Sequence, residues 1–564
     1  MTEKYKSKYH REAPIREITP ESTLYSAVLK ANSENLDSFC SNFGGIRKTF
    51  RTMLDEADRL AAAMLQNGIK ENDYVGVIMM TTPEVASVLL GINKIGAVSF
   101  WIDASLSAEF ILKYIKENNI RKIVVSEIFV PLINKLSENV DIDYAVYVRL
   151  PGTNTPYMSR VNNCNLFDFT DFINVENYKS LEAVPFSYDR ISIVVQSSGS
   201  TGTPKLIAHT DFNFNYEMNK MAYVDLPFYY GYRGLVIAPP WIIYGLCNSI
   251  YSQLIFGMEA VFTFKPEENL IYTYLGTFDI AFGVPVYYRY LFEKMKNLSK
   301  TDSSEYKHIK SLLSDVKVFI SGGDKLSEED TISWEHMFEV PIVNGYGNNE
   351  TVGAAIVTPQ FAIRPGSIGI PMWGTAAKLF DPVTNKLLPD NEQGELCIGS
   401  EAVFVEYIGD KASTDSVKQF HNGRYWVHTG DMATIDKDGF VYITGRIKRL
   451  IITKMGYKVF PDSVENIIKE VEYVKECVVV GVKVDEGISI AAFVELNYSG
   501  TDSNWVLDII KQYAKNNLKE YECPSFFFLI DKIPYKENGG KRDILCLEKE
   551  AETRVKMSST CKQN

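Results

Sequence analysis

Residues 191–205 read ISIVVQSSGSTGTPK, an apolar run that opens into a loop dense in Ser, Thr and Gly and closes on Pro204 and Lys205. A short apolar run rich in β-branched residues predicts a buried strand from Ile191 to Val195. Gly and Pro both oppose continued helix or strand, so the loop starts at once. A hydroxyl-rich loop with exposed N–H groups and one cation suits a polyphosphate that must be gripped and released. A Ser/Gly surface turn has the same composition, so other motifs must decide. The loop is no Walker motif: Pro204 stands where the second Gly is required, and Leu206 where Ser or Thr would hold magnesium. Nor is GYGNNE, Gly345 to Glu350, a dinucleotide fingerprint, because the third Gly is missing.

Working outward, helix and strand patterns alternate. Phe50 to Gly68 has apolar residues at helical spacing and a Gly stop, and DYVGVIMM follows as a buried strand. Pro83 to Gly96 reads as a helix, AVSFWI as a strand, Ala108 to Asn118 as a helix and RKIVVS as a strand. Such alternation predicts parallel sheets covered by helices. From about 369 to 445 short strands and turns dominate, a β-rich subdomain. Beyond the basic stretch RIKRLIITK comes a final α/β portion, with helices at Asp462 to Glu470 and Asn504 to Leu518 and strands at ECVVVGVKV and SIAAFVEL. The expected organisation is α/β: a large N-terminal domain over 1–447 that includes the β-rich subdomain, a small mobile C-terminal α+β domain over 448–550, and a polar, fraying tail over 551–564.

At 564 residues the chain exceeds what one hydrophobic core usually serves, and 46% hydrophobic content is that of a globular protein. A net charge of −12 offers no general attraction to nucleic acid or anionic lipid. The eight cysteines are dispersed, without a CxxC pair or a nearby His, as in reduced cytoplasmic proteins. The polar start MTEKYKSKYHREAP has no signal-peptide core. Gly234 to Met258 is uncharged over a bilayer-spanning length, but Pro239, Pro240, Gly245, Asn248, Ser249 and Gln253 interrupt it. A buried strand, a turn and a core helix are expected there, not a membrane span.

Further motifs follow the loop in order: SGGDKL (Ser321 to Leu326), GYGNNE, GELCIG (Gly394 to Gly399), HTGD (His428 to Asp431), GRIKRLIITKMGYKVFPDSVE (Gly445 to Glu465) and PYKENGGK (Pro534 to Lys541). Together with SSGSTGTPK they resemble the signature motifs of the adenylate-forming superfamily, which comprises acyl-CoA synthetases, firefly luciferase-like enzymes and the adenylation domains of nonribosomal peptide synthetases. The resemblance spans most of the chain.

The resemblance implies an ATP-dependent acid–thiol ligase: a carboxylate and MgATP give an acyl-adenylate and pyrophosphate, then a thiol displaces AMP. Catalysis of this kind is mostly positioning and charge neutralisation. Ser197, Ser198, Gly199, Ser200, Thr201, Gly202, Thr203 and Lys205 would hold the β and γ phosphates, with Pro204 a stiffening element. Gly322, Gly323 and Asp324 would line the adenine pocket, although SGGD alone suits a strand-end turn equally well. Tyr346, beside Gly347, would stack on adenine, and Glu350 would ligate Mg2+. Asn349 departs from the family's Thr, and its amide is expected to donate to a phosphate oxygen instead. Asp431 would take the ribose hydroxyls, Arg446 would add a second ribose contact, and Lys448 would be the hinge of the mobile domain. Gly456 and Tyr457 would border the thiol tunnel. Lys541 would contact both carboxylate and α-phosphate. Relatives read P-x-T-x-x-G-K, whereas here Lys536 replaces the Thr and one extra residue precedes Lys541, so Lys536 competes for the role.

By the same resemblance Trp241, Ile242, Tyr244, Gly245, Val284 and Gly345 would line the acyl pocket. Ile242 stands where many relatives have His. No Asp in this segment can bind an α-amine, which favours a fatty or aryl acid over an amino acid. The acceptor is coenzyme A or the phosphopantetheine of a separate carrier protein. A non-catalytic nucleotide-binding relative is the alternative of another class, prompted by Asn349 and the shifted lysine. Nothing in the sequence specifies an oligomeric state.

Overall fold

The computed structural model describes residues 8–150, 153, 160–162, 164–197, 204–263, 267, 269–324, 326–453, 457–484, 487–497, 503–534 and 542–560. The chain forms two compact units, Met1–Ala377 with Cys397–His428, and Lys378–Leu396 with Thr429–Asn564. The fold is α/β with parallel sheets, a large N-terminal unit and a small C-terminal one. Residues 378–396 and 429–447, read in the sequence with the large domain, share the compact unit of residues 448–564.

The larger unit holds a nine-stranded and an eight-stranded sheet. In the first, strands Glu259–Phe262, Arg233–Val236, Ile280–Gly283, Val318–Gly322 and Ile342–Asn348 run parallel as neighbours. In the second, Ile191–Gln196 lies parallel to Val98–Trp101, which pairs Tyr74–Ile78. The apolar runs alternate between two buried faces, as parallel strands must when both faces are covered. Ile193 and Val195 join a core that also contains Val236, while Val194 faces a second core behind the eight-stranded sheet. Leu235 and Ile237 face a third. Helix Phe50–Gln66, capped by Thr49, buries Leu54, Ala57, Leu60, Ala61 and Met64 on the stripe its spacing predicts.

The interrupted apolar segment is buried in this unit, as expected. Its helical part is a π-helix over Tyr244–Tyr251 that passes into an α-helix, Ser252–Phe256, ended by left-handed Gly257. No helix among the described residues is long and apolar enough to cross a membrane. The seven described cysteines form no disulfide.

In the smaller unit, strands Val474–Val484 and Gly487–Leu496 pair antiparallel, and Phe526–Leu529 adds in parallel. Cys477 and Val479 face helices Pro461–Lys469 and Ser503–Asn517, while Val478, Val480 and Val482 face the last helix, Ile544–Thr560. That helix corrects the expectation of fraying after Glu550: Leu547, Ala551 and Val555 recur at four-residue spacing and are buried.

Candidate functional site

The hydroxyl-rich loop connects two antiparallel strands, Ile191–Gln196 and Leu206–Thr210, with Gln196 opposite Leu206. Its neck is closed from both sides: the Ser197 N–H donates to the Lys205 carbonyl at 2.8 Å, and the Lys205 N–H donates to Ser197 Oγ at 2.8 Å. The Tyr114 hydroxyl donates to the Pro204 carbonyl at 2.9 Å. Ser198, Gly199, Ser200, Thr201, Gly202 and Thr203 lie outside the described residues.

From this neck the Lys205 ammonium reaches Asp410 Oδ2 at 3.4 Å and lies 4.6 Å from the centre of the Tyr407 ring. The Tyr407 hydroxyl donates to Glu350 Oε1 at 2.6 Å. Burial, and after it the charge of Glu350, pushes the Tyr407 phenol well up, so it stays a protonated donor. Glu350 sits in a short turn, Asn349–Thr351, closed by reciprocal hydrogen bonds between Asn348 and Thr351. The turn ends on Val352 at φ 65°, a strained conformation for a β-branched residue of the kind found where a site imposes its geometry. Asn349 makes two contacts to the backbone. Its Nδ2 donates to the Gln196 carbonyl at 2.7 Å and its Oδ1 accepts from the Ile243 N–H at 3.4 Å, tying the loop base to the apolar segment.

Around this point the carboxyl ends of parallel strands converge, the usual ligand-binding edge of an open α/β sheet. Gly283 is in register with Ser321, and Gly322 with Gly345. Gly323 and Asp324 follow in the turn, Val284 leads into helix Pro285–Thr301, and Tyr346 and Gly347 continue the strand toward Glu350. Trp241, Ile242, Tyr244 and Gly245 follow the adjacent strand, Arg233–Val236. The Tyr244 hydroxyl donates to the carbonyls of Gly283 and Ile320, each at 3.2 Å, and burial pushes its phenol up. Its ring crosses Gly322, where an added Cβ would stand 3.1 Å from ring carbons. A groove of about 660 Å³ opens beside Val340 and Pro341, at the opposite end of strand Ile342–Asn348, and no predicted site residue lines it.

In the smaller unit Asp431 and Arg446 face each other across an antiparallel pair, with Arg446 Nε 2.9 Å from Asp431 Oδ1. Asp431 is 9% exposed and Arg446 61%, so a nearly buried carboxylate pairs with an exposed guanidinium. The Asp431 N–H donates to Thr429 Oγ1, which donates in turn to the Leu396 carbonyl. Lys448 lies exposed in the single turn Ile447–Arg449, whose Arg449 is locked to Asp462 and Glu465. Tyr457 stacks on Tyr521 with ring centres 4.5 Å apart. Gly456, Lys536 and Lys541 lie outside the described residues. Among the residues that flank the two lysines, the Asp543 N–H donates to the Pro534 carbonyl at 2.8 Å, and Arg542 pairs with Glu465 and Glu476.

Two groups here escaped the sequence reading. Tyr407 and Asp410 follow the GELCIG motif without a motif of their own; their one local signal is Asp410 three residues before Ser413, the helix cap it forms. Behind the apolar segment, Glu217 and Lys220 form a fully buried pair, with Asn248 donating to Glu217 at 3.0 Å. Burial raises the Glu217 carboxyl, against the opposing charge of Lys220.

A glycine-lined strand edge, and a lysine and a carboxylate joined through one tyrosine, are set in an α/β fold of parallel sheets. The chain belongs to the AMP-binding enzyme family, whose family model matches residues 29–408, and the model of that enzyme's C-terminal domain matches residues 463–540. It is 26% identical over 573 residues to a long-chain-fatty-acid–CoA ligase of Bacillus subtilis, covering 97% of this chain and 98% of the relative. It is 25% identical to a 3-hydroxybenzoate–CoA/4-hydroxybenzoate–CoA ligase of Thauera aromatica, covering 87% and 90%. Its fold is similar to that of the anthranilate CoA ligase AuaEII in complex with anthranoyl-AMP, with TM-score 0.77, 20% identity, and 95% and 99% of the two chains covered.

Proposed function

We propose that the chain is an AMP-forming acid–thiol ligase that activates a fatty or aryl carboxylic acid and transfers it to coenzyme A. The observation that carries this reading is the chain of contacts Lys205, Tyr407, Glu350, which brings the loop's cation and a carboxylate to one side chain at the carboxyl ends of the parallel strands. In the first step a carboxylate oxygen bonds to the α-phosphorus of ATP and the bond to the bridging oxygen breaks, releasing pyrophosphate. In the second the thiol sulfur bonds to the acyl carbon, AMP departs, and the thiol proton is lost. Lys205 and the loop hydroxyls grip the leaving pyrophosphate, Tyr346 and Gly322 to Asp324 frame the adenine, and Asp431 with Arg446 hold the ribose. Glu350 fits Mg2+, a hard cation that takes one or two carboxylates and completes its shell with water and phosphate oxygens. Bound there, Mg2+ would neutralise phosphate charge.

Trp241, Ile242, Tyr244, Gly245, Val284 and Gly345 are the proposed acyl-pocket lining, and the relatives named for long-chain fatty acids and hydroxybenzoates are in keeping with an apolar acid. We place the hinge at Lys448, the thiol tunnel at Gly456 and Tyr457, the cation on the new bond at Lys541, and the enzyme in the cytoplasm. The test is carboxylate-dependent exchange of labelled pyrophosphate into ATP across a panel of fatty and aryl acids. Exchange with an apolar acid is expected, and none with any acid would end the ligase reading. Lys541→Ala should slow exchange by about 10²–10³-fold, as loss of a preorganised donor does; an undiminished rate would move the role to another residue. Thioester formed with free coenzyme A, and not only with a carrier protein, identifies the acceptor.

A further inference from the structure

The Lys205 ammonium is already engaged by a carboxylate that plays no part in the reaction described above. Asp410 Oδ2 stands 3.4 Å from it, and both side chains are about 40% exposed. The ring of Tyr407 supports the same ammonium from below, at 4.6 Å, within the range of a cation–π contact. Asp410 is itself held in place. It caps helix Lys411–Val417 by accepting the Ser413 N–H at 3.0 Å, and Tyr407 is tied to the same helix where its N–H donates to Thr414 Oγ1 at 2.9 Å. The cap first, and Lys205 after it, keeps the Asp410 carboxyl below its ordinary range, so it is a fixed negative charge at neutral pH.

We propose that Asp410 is a positioning residue that competes with the triphosphate for Lys205, holding the lysine when the loop is empty and drawing it back as pyrophosphate leaves. The inference rests on the reading of Lys205 as the pyrophosphate-gripping cation. The competition is weak enough for exchange, because an ion pair this exposed contributes little in water, whereas a polyphosphate offers several charged oxygens. It favours release of the product over retention. Tyr407 sets the geometry of the exchange, since its ring bears Lys205 while its hydroxyl holds Glu350.

Asp410→Asn isolates the charge, because Asn caps a helix as well as Asp does. Calorimetric titration of the full chain with Mg-pyrophosphate and with Mg-ATP, without acid, should show both binding about two- to five-fold tighter in Asp410→Asn. The gain should shrink as salt is raised. Lys205→Ala should weaken both. Unchanged or weaker binding by Asp410→Asn, with Lys205→Ala impaired, overturns the role of Asp410 and leaves the ligase reading standing. If Lys205→Ala binds pyrophosphate as the parent does, the phosphate role of Lys205 is wrong and that of Asp410 falls with it.

Discussion

Gly245 stands where the chain turns from Pro239-Pro240 into the π-helix, and a Cβ there would collide with the Pro239 carbonyl. That oxygen belongs to the backbone and cannot swing aside, so Gly245→Ala should behave as an overpacked core variant and lose ~1–3 kcal/mol in urea unfolding. The same shift moves Trp241 and Ile242, so KM for the acid should rise more than KM for ATP. The resemblance alone assigns position 245 to the proposed pocket segment. The partners of Asn349 were not: an amide in a loop offers donor and acceptor to anything nearby, and only the fold brings the Gln196 carbonyl and the Ile243 N–H to it. Tyr407 and Asp410 were missed for the same reason, since their chemistry lies in contacts with Lys205 and Glu350, far away in sequence.

Among the elements, the π-helix and the last helix differ most from expectation. The interrupted uncharged run from Gly234 to Met258 predicts a buried strand, a turn and a core helix, but an uncharged run leaves the pitch of that helix open. Buried polar groups are satisfied along it: Asn248 donates to Glu217, the Ser252 hydroxyl donates to the Asn248 carbonyl, and Gln253 donates to the Ser249 carbonyl. π-Turns of this kind are frequent at functional sites. The last helix is anchored where Arg542 bridges Glu465 and Glu476. Burial raises the Glu476 carboxyl, but Arg542 and then Lys469 outweigh it, and its pKa ends below the ordinary carboxylate value. A depressed carboxylate contributes stability above its unfolded pKa and loses it as pH falls through the folded one. Amide protection in Ile544–Thr560, measured relative to the intrinsic exchange rate at each pH, should therefore be high at neutral pH and fall below about pH 4. Glu476→Gln should show about ten-fold faster exchange at neutral pH; protection equal to the parent's would remove this anchor from the account.

At the scale of the larger unit, the core shared by its two sheets places His209, fully buried on Leu206–Thr210, next to the loop base. Burial drives its imidazole down to about 3, against smaller opposing contributions from Asn213 and the Asn349 backbone. Between that value and the ordinary His range near 6.5 only the unfolded chain takes up the proton. Stability of this unit should thus fall on acidification below about pH 6.5, by up to ~1.4 kcal/mol per pH unit from this group. His209→Gln should flatten the dependence of Tm on pH between 6 and 4, whatever it does to Tm at pH 7. An unaltered slope would show that other groups control the acid limb.

Sequence alone determined the class of fold, the order of its elements and the residue types at the strand edge, because these depend on local pattern: strand runs between helices, glycines at turns, motifs in a constant order. It also placed Lys205, Glu350 and Asp431 in their roles as expectations. Tertiary structure decided which groups meet. That Lys205 rests on Tyr407 and Asp410, that Asn349 ties two segments together, and that Ile544–Thr560 is a packed helix follow from long-range packing, where burial and charge pairing between distant residues outweigh local preference.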